Sequence, residues 1–352
     1  MTETGFDLLA VSPSDDLLYL LGFSPTADER PCMLLLGAKD AVFLVPSLNA
    51  VQTREALRSL PSLRLVTWQD AAGPERALRE AAAPFAGTRR TAVAATMRAD
   101  FLLLLQSMLN GSEFVSADGV VAELRMRKDA AEVDALQASA RTADAAMEAA
   151  LAACVPGVRE LDVAEAAAAA FRRAGAEEVL FASVASGPNA AFPHHHSGTR
   201  LLQAGDAVTI DLGGRLAGYA SDITRVAHLG PPSERYAGVH VTVERAVQAA
   251  LAAVRSGVRC ADVDQAARDV IEAAGFGEQF VHRTGHGLGL SAHEPPSIME
   301  GEERELVTGT VFSIEPGIYL PGEFGVRLEE IVAVTESGCR VFSTLPRAVH
   351  IA

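Results

Sequence analysis

AMEAALAACVPGVRELDVAEAA, residues 146–167, lies over AVQAALAAVRSGVRCADVDQAA, residues 246–267, when the chain is shifted 100 positions against itself. Extended to residues 175 and 275, the overlay gives 15 identities in 30 positions, of which 8 are alanine and carry little in so alanine-rich a chain. The other seven decide the reading: Leu151/Leu251, Gly157/Gly257, Val158/Val258, Arg159/Arg259, Asp162/Asp262, Val163/Val263 and Gly175/Gly275. They fall where helix boundaries need particular chemistry. Gly157 and Gly257 predict the left-handed residue that stops a helix, Asp162 and Asp262 predict N-caps with Glu165 and Gln265 three residues on, and Gly175 and Gly275 predict the next stop. Each half therefore reads as helix, tight turn, helix and β-like runs: a duplicated α/β unit.

Ahead of the repeat the texture differs. Short β-like runs, CMLLLG at 32–37, AVFLVP at 41–46, LRLVTW at 63–68 and TAVAATM at 91–97, alternate with helical stretches and suit a small α/β domain. The change comes at VVAELRMRKD, residues 120–129, so a first domain is expected over 1–123 and a second over 124–352. The length of 352 residues agrees with two domains at roughly 150 residues each.

Lys plus Arg is 30 against 45 for Asp plus Glu, a formal charge of −15, which argues against nucleic acid or an anionic membrane surface as partner. The longest apolar run, Phe101 to Leu105, is far below the roughly 18 residues a membrane span needs. The N-terminus carries Glu3 and Asp7 where an export signal would be basic. Cys32, Cys154, Cys260 and Cys339 are scattered with no C-x-x-C, so free thiols in a cytoplasmic protein are expected, not disulfides or a zinc knuckle.

Chemistry sits behind each helical pair. AVTIDLGGRLAGYASDITRV places Asp211 and Asp222 on two strands of a hairpin; direct opposition puts the midpoint between Leu216 and Ala217. TVFSIEPGIYLPGEFGVRLEEIVAV does the same for Glu315 and Glu329, with the midpoint at Gly322. Each hairpin would present a carboxylate pair on one face, and like charges so placed are costly unless neutralised. Arg225 and Arg327 are candidate ion-pair partners, but two arginines do not easily satisfy four converging carboxylates, and divalent metal suits them better. His286, between Gly285 and Gly287, supplies a possible imidazole ligand, with His282 and His293 clustered nearby. An oxygen-rich site with one imidazole favours manganese, with cobalt or zinc able to replace it. The loop SGPNAAFPHHHSG brings His194 within 17 residues of Asp211, at the rim of such a site.

Together Asp211, Asp222, His286, Glu315 and Glu329 resemble the five-ligand set of the pita-bread metallopeptidases, with IDLG, SDITR, GHGLGL, HEPP, IEPG and GVRLEE in the family's order. The resemblance covers about residue 124 to the C-terminus, and the preceding α/β domain resembles that of the creatinase and prolidase branch. It implies a catalytic domain of two pseudo-two-fold halves, a homodimer, and two divalent ions. Asp222 and Glu329 would bridge the ions, Asp211 would complete one, and His286 with Glu315 the other. It also implies hydrolysis of Xaa-Pro peptide bonds by a metal-bridging water or hydroxide. His194 and His293 would position the substrate, and Glu315 would pass the proton to the leaving nitrogen. One departure bears on selectivity: where many prolidases carry an arginine after HEPP for the substrate's carboxylate, this chain has Ser297. An Xaa-Pro dipeptidase is the first expectation and an Xaa-Pro aminopeptidase acting on longer peptides the second. A non-peptide amide hydrolase and a non-catalytic peptide-binding homologue follow.

Overall fold

A computed structural model describes residues 5–352, with Asp118 described by its backbone alone; Glu3 lies outside the described residues. The chain divides into two compact units after Arg125.

The first unit is built on one mixed six-stranded sheet. Its strands are β1 (Leu8–Val11), β2 (Met33–Gly37), β3 (Ala41–Pro46), β4 (Arg64–Trp68), β5 (Arg90–Val93) and β6 (Glu113–Ser116), in the order β4-β3-β2-β1-β5-β6. Only the β1/β2 and β2/β3 pairs are antiparallel. The strands are apolar on both faces because both are covered. Leu8, Ala10, Leu35 and Leu44 face a core with Leu78 and Phe101, while Leu9, Val11, Leu34 and Phe43 face another with Leu17 and Val121. These packing residues come from α1 (Asp15–Leu21), α3 (Glu75–Ala82), α4 (Ala99–Gln106) and α5 (Asp118–Met126); α2 (Ala50–Ala56) adds Ala50 to the second core.

The second unit carries the duplication. Its first half runs α6 (Ala130–Ala153), α7 (Glu160–Arg173), β7 (Glu178–Ser186), β8 (Ala207–Leu216) and β9 (Tyr219–His228). The second half runs α8 (Glu234–Ala253), α9 (Cys260–Ala273), β10 (Gly285–Gly287), β11 (Glu294–Ile298), β12 (Val311–Ile314), β13 (Gly317–Leu320), β14 (Phe324–Arg327), β15 (Glu330–Val334) and β16 (Cys339–Val341). Strand β17 (His350–Ile351) returns to the first half, giving sheets β17-β9-β8-β7 and β11-β10-β12-β15-β16 and a separate ribbon β13-β14.

The interhelix turns are equivalent bond by bond. Gly157 N–H donates to Leu202 O and Gly257 N–H to Leu306 O, both at 2.8 Å, and Gly157, Gly175, Gly257 and Gly275 all have positive φ. The expected aspartate caps are corrected. Arg159 and Arg259 are the N-caps, and Asp162 and Asp262 sit at the third helical position. There Asp162 accepts the Arg159 backbone N–H at 3.2 Å, and each aspartate binds its arginine's guanidinium. At that position each carboxylate meets both the positive end of the helix dipole and the guanidinium of its own N-cap arginine.

Register decides what faces the site. In the second hairpin Ile314 opposes Glu330 and Gly317 opposes Arg327, so Glu315 faces Glu329 about a turn centred on Gly322, in the expected alignment. The first hairpin differs: Asp222 opposes Gly213, and Asp211 opposes Thr224. A two-residue turn, Ala217-Gly218, with φ of 51° and 81°, matches the strand twist and moves the centre by one residue. The aspartates are therefore diagonal neighbours, still on one face because the offset in pairing is two. Val208, Ile210, Leu212 and Ile223 pack under α6 and α7, leaving Asp211, Asp222 and Thr224 on the opposite face. Phe312, Ile314, Val326 and Leu328 likewise pack under α8 and α9, leaving Glu315, Arg327 and Glu329 opposite. Here the ladder is interrupted: Glu315, Pro316, Leu328 and Glu329 belong to no strand.

Candidate metal centre

The two carboxylate-bearing faces and β10 enclose a cavity of about 620 Å³, lined by Asp211, Asp222, His286, Glu315 and Glu329, and by His194, His282, His293, Arg283 and Arg327. All five ligand candidates and both expected substrate-positioning histidines therefore meet in one cavity. Donor atoms of Asp222, His286 and Glu329 lie within 4.8 Å of one another. His286 Nδ1 is 3.1 Å from Gly287 O, so a proton there leaves Nε2 as a ligand, 3.2 Å from Glu315 Oε1 and 3.8 Å from Asp222 Oδ2. Its flanking glycines are required by close approach: a Cβ on Gly285 would stand 1.8 Å from Ser313 O, and one on Gly287 2.2 Å from Pro295 O.

Charge in the cavity is unbalanced without an ion. Arg327 reaches Asp211 at 2.7 Å and Glu315 at 3.8 Å, and also contacts Thr224 Oγ1 and Tyr319 OH. Arg225 turns to the other face and pairs with Glu330 at 2.8 Å, so only one of the two candidate arginines enters the site. Among the described residues Asp222 has no arginine or lysine partner, and Glu329 Oε1 is buried with no hydrogen-bond partner. Burial, then repulsion from Glu329, pushes the Asp222 carboxyl well above its usual range; burial, then repulsion from Glu315 and Asp211, does the same to Glu329. Burial also outweighs Arg327 at Asp211 and raises it. Glu315 is the exception. Burial opposes its ionisation, but the hydrogen bond and charge of His286, with the charge of Arg327, hold it at about 2. An orphaned carboxylate oxygen in a cavity with three more carboxylates and an imidazole is a donor set that fits a divalent cation.

Other residues set the walls. His194 is exposed on the rim, and His195 turns away to Glu160 at 2.9 Å. Glu160 is fully buried and also accepts from Ser186, Asn189 and Gly198, fixing the histidine loop from the start of α7. Ring centroids of His286 and His293 are 4.0 Å apart; His293 keeps an exposed edge, and partial desolvation of its ring, then the charges of His286 and Arg283, lowers it to about 4. Beside it Glu294 forms a buried ion pair with Lys128. His282 Nε2 contacts Tyr319 OH at 2.9 Å. Glu160, Thr224, Tyr319 and Arg283 escaped the sequence reading. Parity with Arg327 and Glu315 could have found Tyr319, but Glu160 gives no signal in its own segment.

A duplicated α/β unit with carboxylates and one imidazole on its facing sheets defines a metal-dependent peptidase of the pita-bread class. The comparisons agree: the description "Metallopeptidase family M24" matches residues 134–336, and "Creatinase/Prolidase N-terminal domain" matches residues 1–127. The chain belongs to metallopeptidase family M24. Among curated relatives, the probable dipeptidase PepE of Mycobacterium tuberculosis is 40% identical over 353 residues, covering 99% of this chain and 93% of its own length. The Xaa-Pro dipeptidase of Pyrococcus furiosus is 30% identical over 341 residues, covering 97% and 94%. The solved structure of dipeptidase PepE from Mycobacterium ulcerans matches with a TM-score of 0.93 at 41% identity, over 99% of this chain and 94% of that one. No helix among the described residues is long and apolar enough to cross a membrane.

Proposed function

We propose that the protein is an Xaa-Pro dipeptidase that works with two divalent ions, manganese first and cobalt or zinc as substitutes. The observation that carries this reading is the convergence of five donors and two further histidines in one cavity, in a chain whose full-length relatives include an Xaa-Pro dipeptidase. Asp222 and Glu329 would be shared between the ions, with Asp211 on one and His286 and Glu315 on the other. Bound there, the ions would supply Lewis acidity and an acidified water. Glu315, ionised at neutral pH, can accept a proton and return it to the leaving nitrogen of proline. His293, neutral at the same pH, can donate a ring N–H to the substrate without adding charge, and His194 can approach from the rim. A tertiary amide has no N–H to grip, so recognition of the bond falls to such side chains.

One observation favours the second reading, an Xaa-Pro aminopeptidase: position 297, after HEPP, is a serine and offers no charge to a free carboxylate. With Mn²⁺ supplied, kcat/KM on Ala-Pro is expected to exceed that on Ala-Pro-Ala; the reverse order replaces the dipeptidase by the aminopeptidase. Inactivity on both, with two ions per chain by elemental analysis, points to a non-peptide amide, and absence of ions to a binding homologue. We also propose a cytoplasmic homodimer. Its four cysteines are unpaired, which suits a reducing compartment. Light scattering should give twice the chain mass, and a monomer mass removes the dimer.

A further inference from the structure

Of the 30 lysine and arginine residues in this chain only two are lysines, Lys39 and Lys128. Lys39 is exposed, whereas the Lys128 side chain is 1% exposed and forms an ion pair with Glu294, whose side chain is 5% exposed. An ammonium is a compact point charge on a slim stem, while a guanidinium needs room for a planar fork. A chain that otherwise uses arginine thus places a lysine where the cation must fit without solvent.

The two ends of this pair have different supports. Lys128 stands just ahead of α6 on a fixed backbone: its N–H donates to Gly309 O at 2.9 Å, Arg127 bridges Thr310, and a Cβ on Gly309 would stand 2.5 Å from Lys128 O. Glu294 opens β11 and directly follows His293. Its carboxylate lies against the turn that joins β10 to β11, where a Cβ on Gly289 would stand 2.5 Å from Glu294 Oε1. The ladder is irregular here: Ser297 opposes His286, but the next pair is Glu294 with Gly287. Regular pairing therefore does not fix the start of β11, and His293, with its exposed edge, is not held by packing alone. A buried charge pair from a rigid backbone supplies the missing restraint.

We propose that Lys128 is a positioning residue for His293: by holding the Glu294 carboxylate, it sets the neighbouring imidazole at the cavity wall for its contact with the substrate. Lys128 is not among the residues that line the cavity, and it acts through Glu294. The proposal rests on the dipeptidase reading above, in which His293 meets the substrate, and names what keeps that imidazole in place.

The test uses the metal-loaded full chain. Lys128→Met alone leaves a buried carboxylate unpaired and endangers the fold, so the deciding variant is the neutral pair Lys128→Met with Glu294→Gln, which removes both charges and keeps the shape. On Ala-Pro its kcat/KM is expected to fall about 10- to 100-fold, mainly in kcat, with metal content and melting temperature close to those of wild type. In a His293→Ala background the neutral pair should bring no further loss, because both changes then act on one contact. Hydrogen exchange over residues 287–294 should quicken about tenfold or more in the neutral pair, while β7, β8 and β9 exchange as in wild type. Wild-type kcat/KM in the neutral pair, a loss that follows melting temperature or metal content, or a loss that adds in full to that of His293→Ala overturns the proposal. If wild type does not hydrolyse Ala-Pro, the dipeptidase reading falls and exchange alone decides the restraint: faster exchange over 287–294 upholds it, and unchanged exchange removes it.

Discussion

Asp222→Asn is expected to lower hydrolysis of Ala-Pro by about a thousandfold or more while making the metal-free protein more stable. The first effect follows from the centre of the cavity: Asp222 is one of the three residues whose donors cluster within 4.8 Å, and the proposed chemistry needs its charge on both ions. Loss of several kcal/mol of metal-supplied stabilisation, at about 1.36 kcal/mol per tenfold, gives that magnitude. The second effect has the opposite sign and a separate cause. Asp222 is buried beside Glu329 with no arginine or lysine partner among the described residues, so its charge is a cost in the absence of an ion, and a neutral amide of the same shape removes that cost. Elemental analysis should show metal lost with activity. Undiminished activity in the variant sinks the metal mechanism, and a lower melting temperature of the metal-free variant sinks the account of its electrostatics.

The second large effect joins metal to pH. Without an ion, Asp222 and Glu329 hold protons more tightly in the folded chain than in the unfolded one. Above about pH 4, where unfolded carboxyls lose theirs, the native state therefore carries the excess protons, and stability falls as pH rises through the raised folded values. Glu315, held at about 2, is ionised in both states above pH 6 and contributes no slope there. A divalent ion removes the penalty, since it replaces the protons. His282 and His293, lowered in the folded chain, oppose this trend up to about pH 7, where the unfolded imidazoles lose their protons, so scanning melting temperature from pH 7 to 8.5 should show a metal-free curve that descends and a metal-loaded curve that does not. With metal at about 100 times its Kd the gain is about 2.7 kcal/mol, or about 5–10 °C for a domain of this size. Parallel curves would refute the assignment of these two carboxylates as the ones an ion relieves.

What the sequence disclosed, it disclosed through spacing and alternation. Seven non-alanine identities were enough to find the duplication, and alternation carried Glu315 and Glu329 to one face even though the ladder breaks between them at Pro316. The first hairpin was misaligned because the choice of Ala217-Gly218 as the turn depends on φ values that Ala217 adopts only under the twist of its own strands. Arg225 and Arg327 looked alike in sequence; one residue of parity sends the first to Glu330 and the second into the cavity. Glu160 and the Arg283–Ser297 contact depend on segments that meet only after folding, across 26 to 38 and 14 residues respectively, so no local pattern reports them.

The tight turn at Ala217-Gly218 imposes a rule on the lengths this protein can tolerate. A strand's side chains alternate between its two faces, so lengthening the first hairpin by one residue on one arm would send either Asp211 or Asp222 toward the helices, where Ile210 and Ile223 now pack. Lengthening by two would return the aspartate to the cavity, one diagonal step away. Active descendants of this chain should therefore vary that arm by even numbers, and a library of one- and two-residue insertions would sort itself by arithmetic before chemistry.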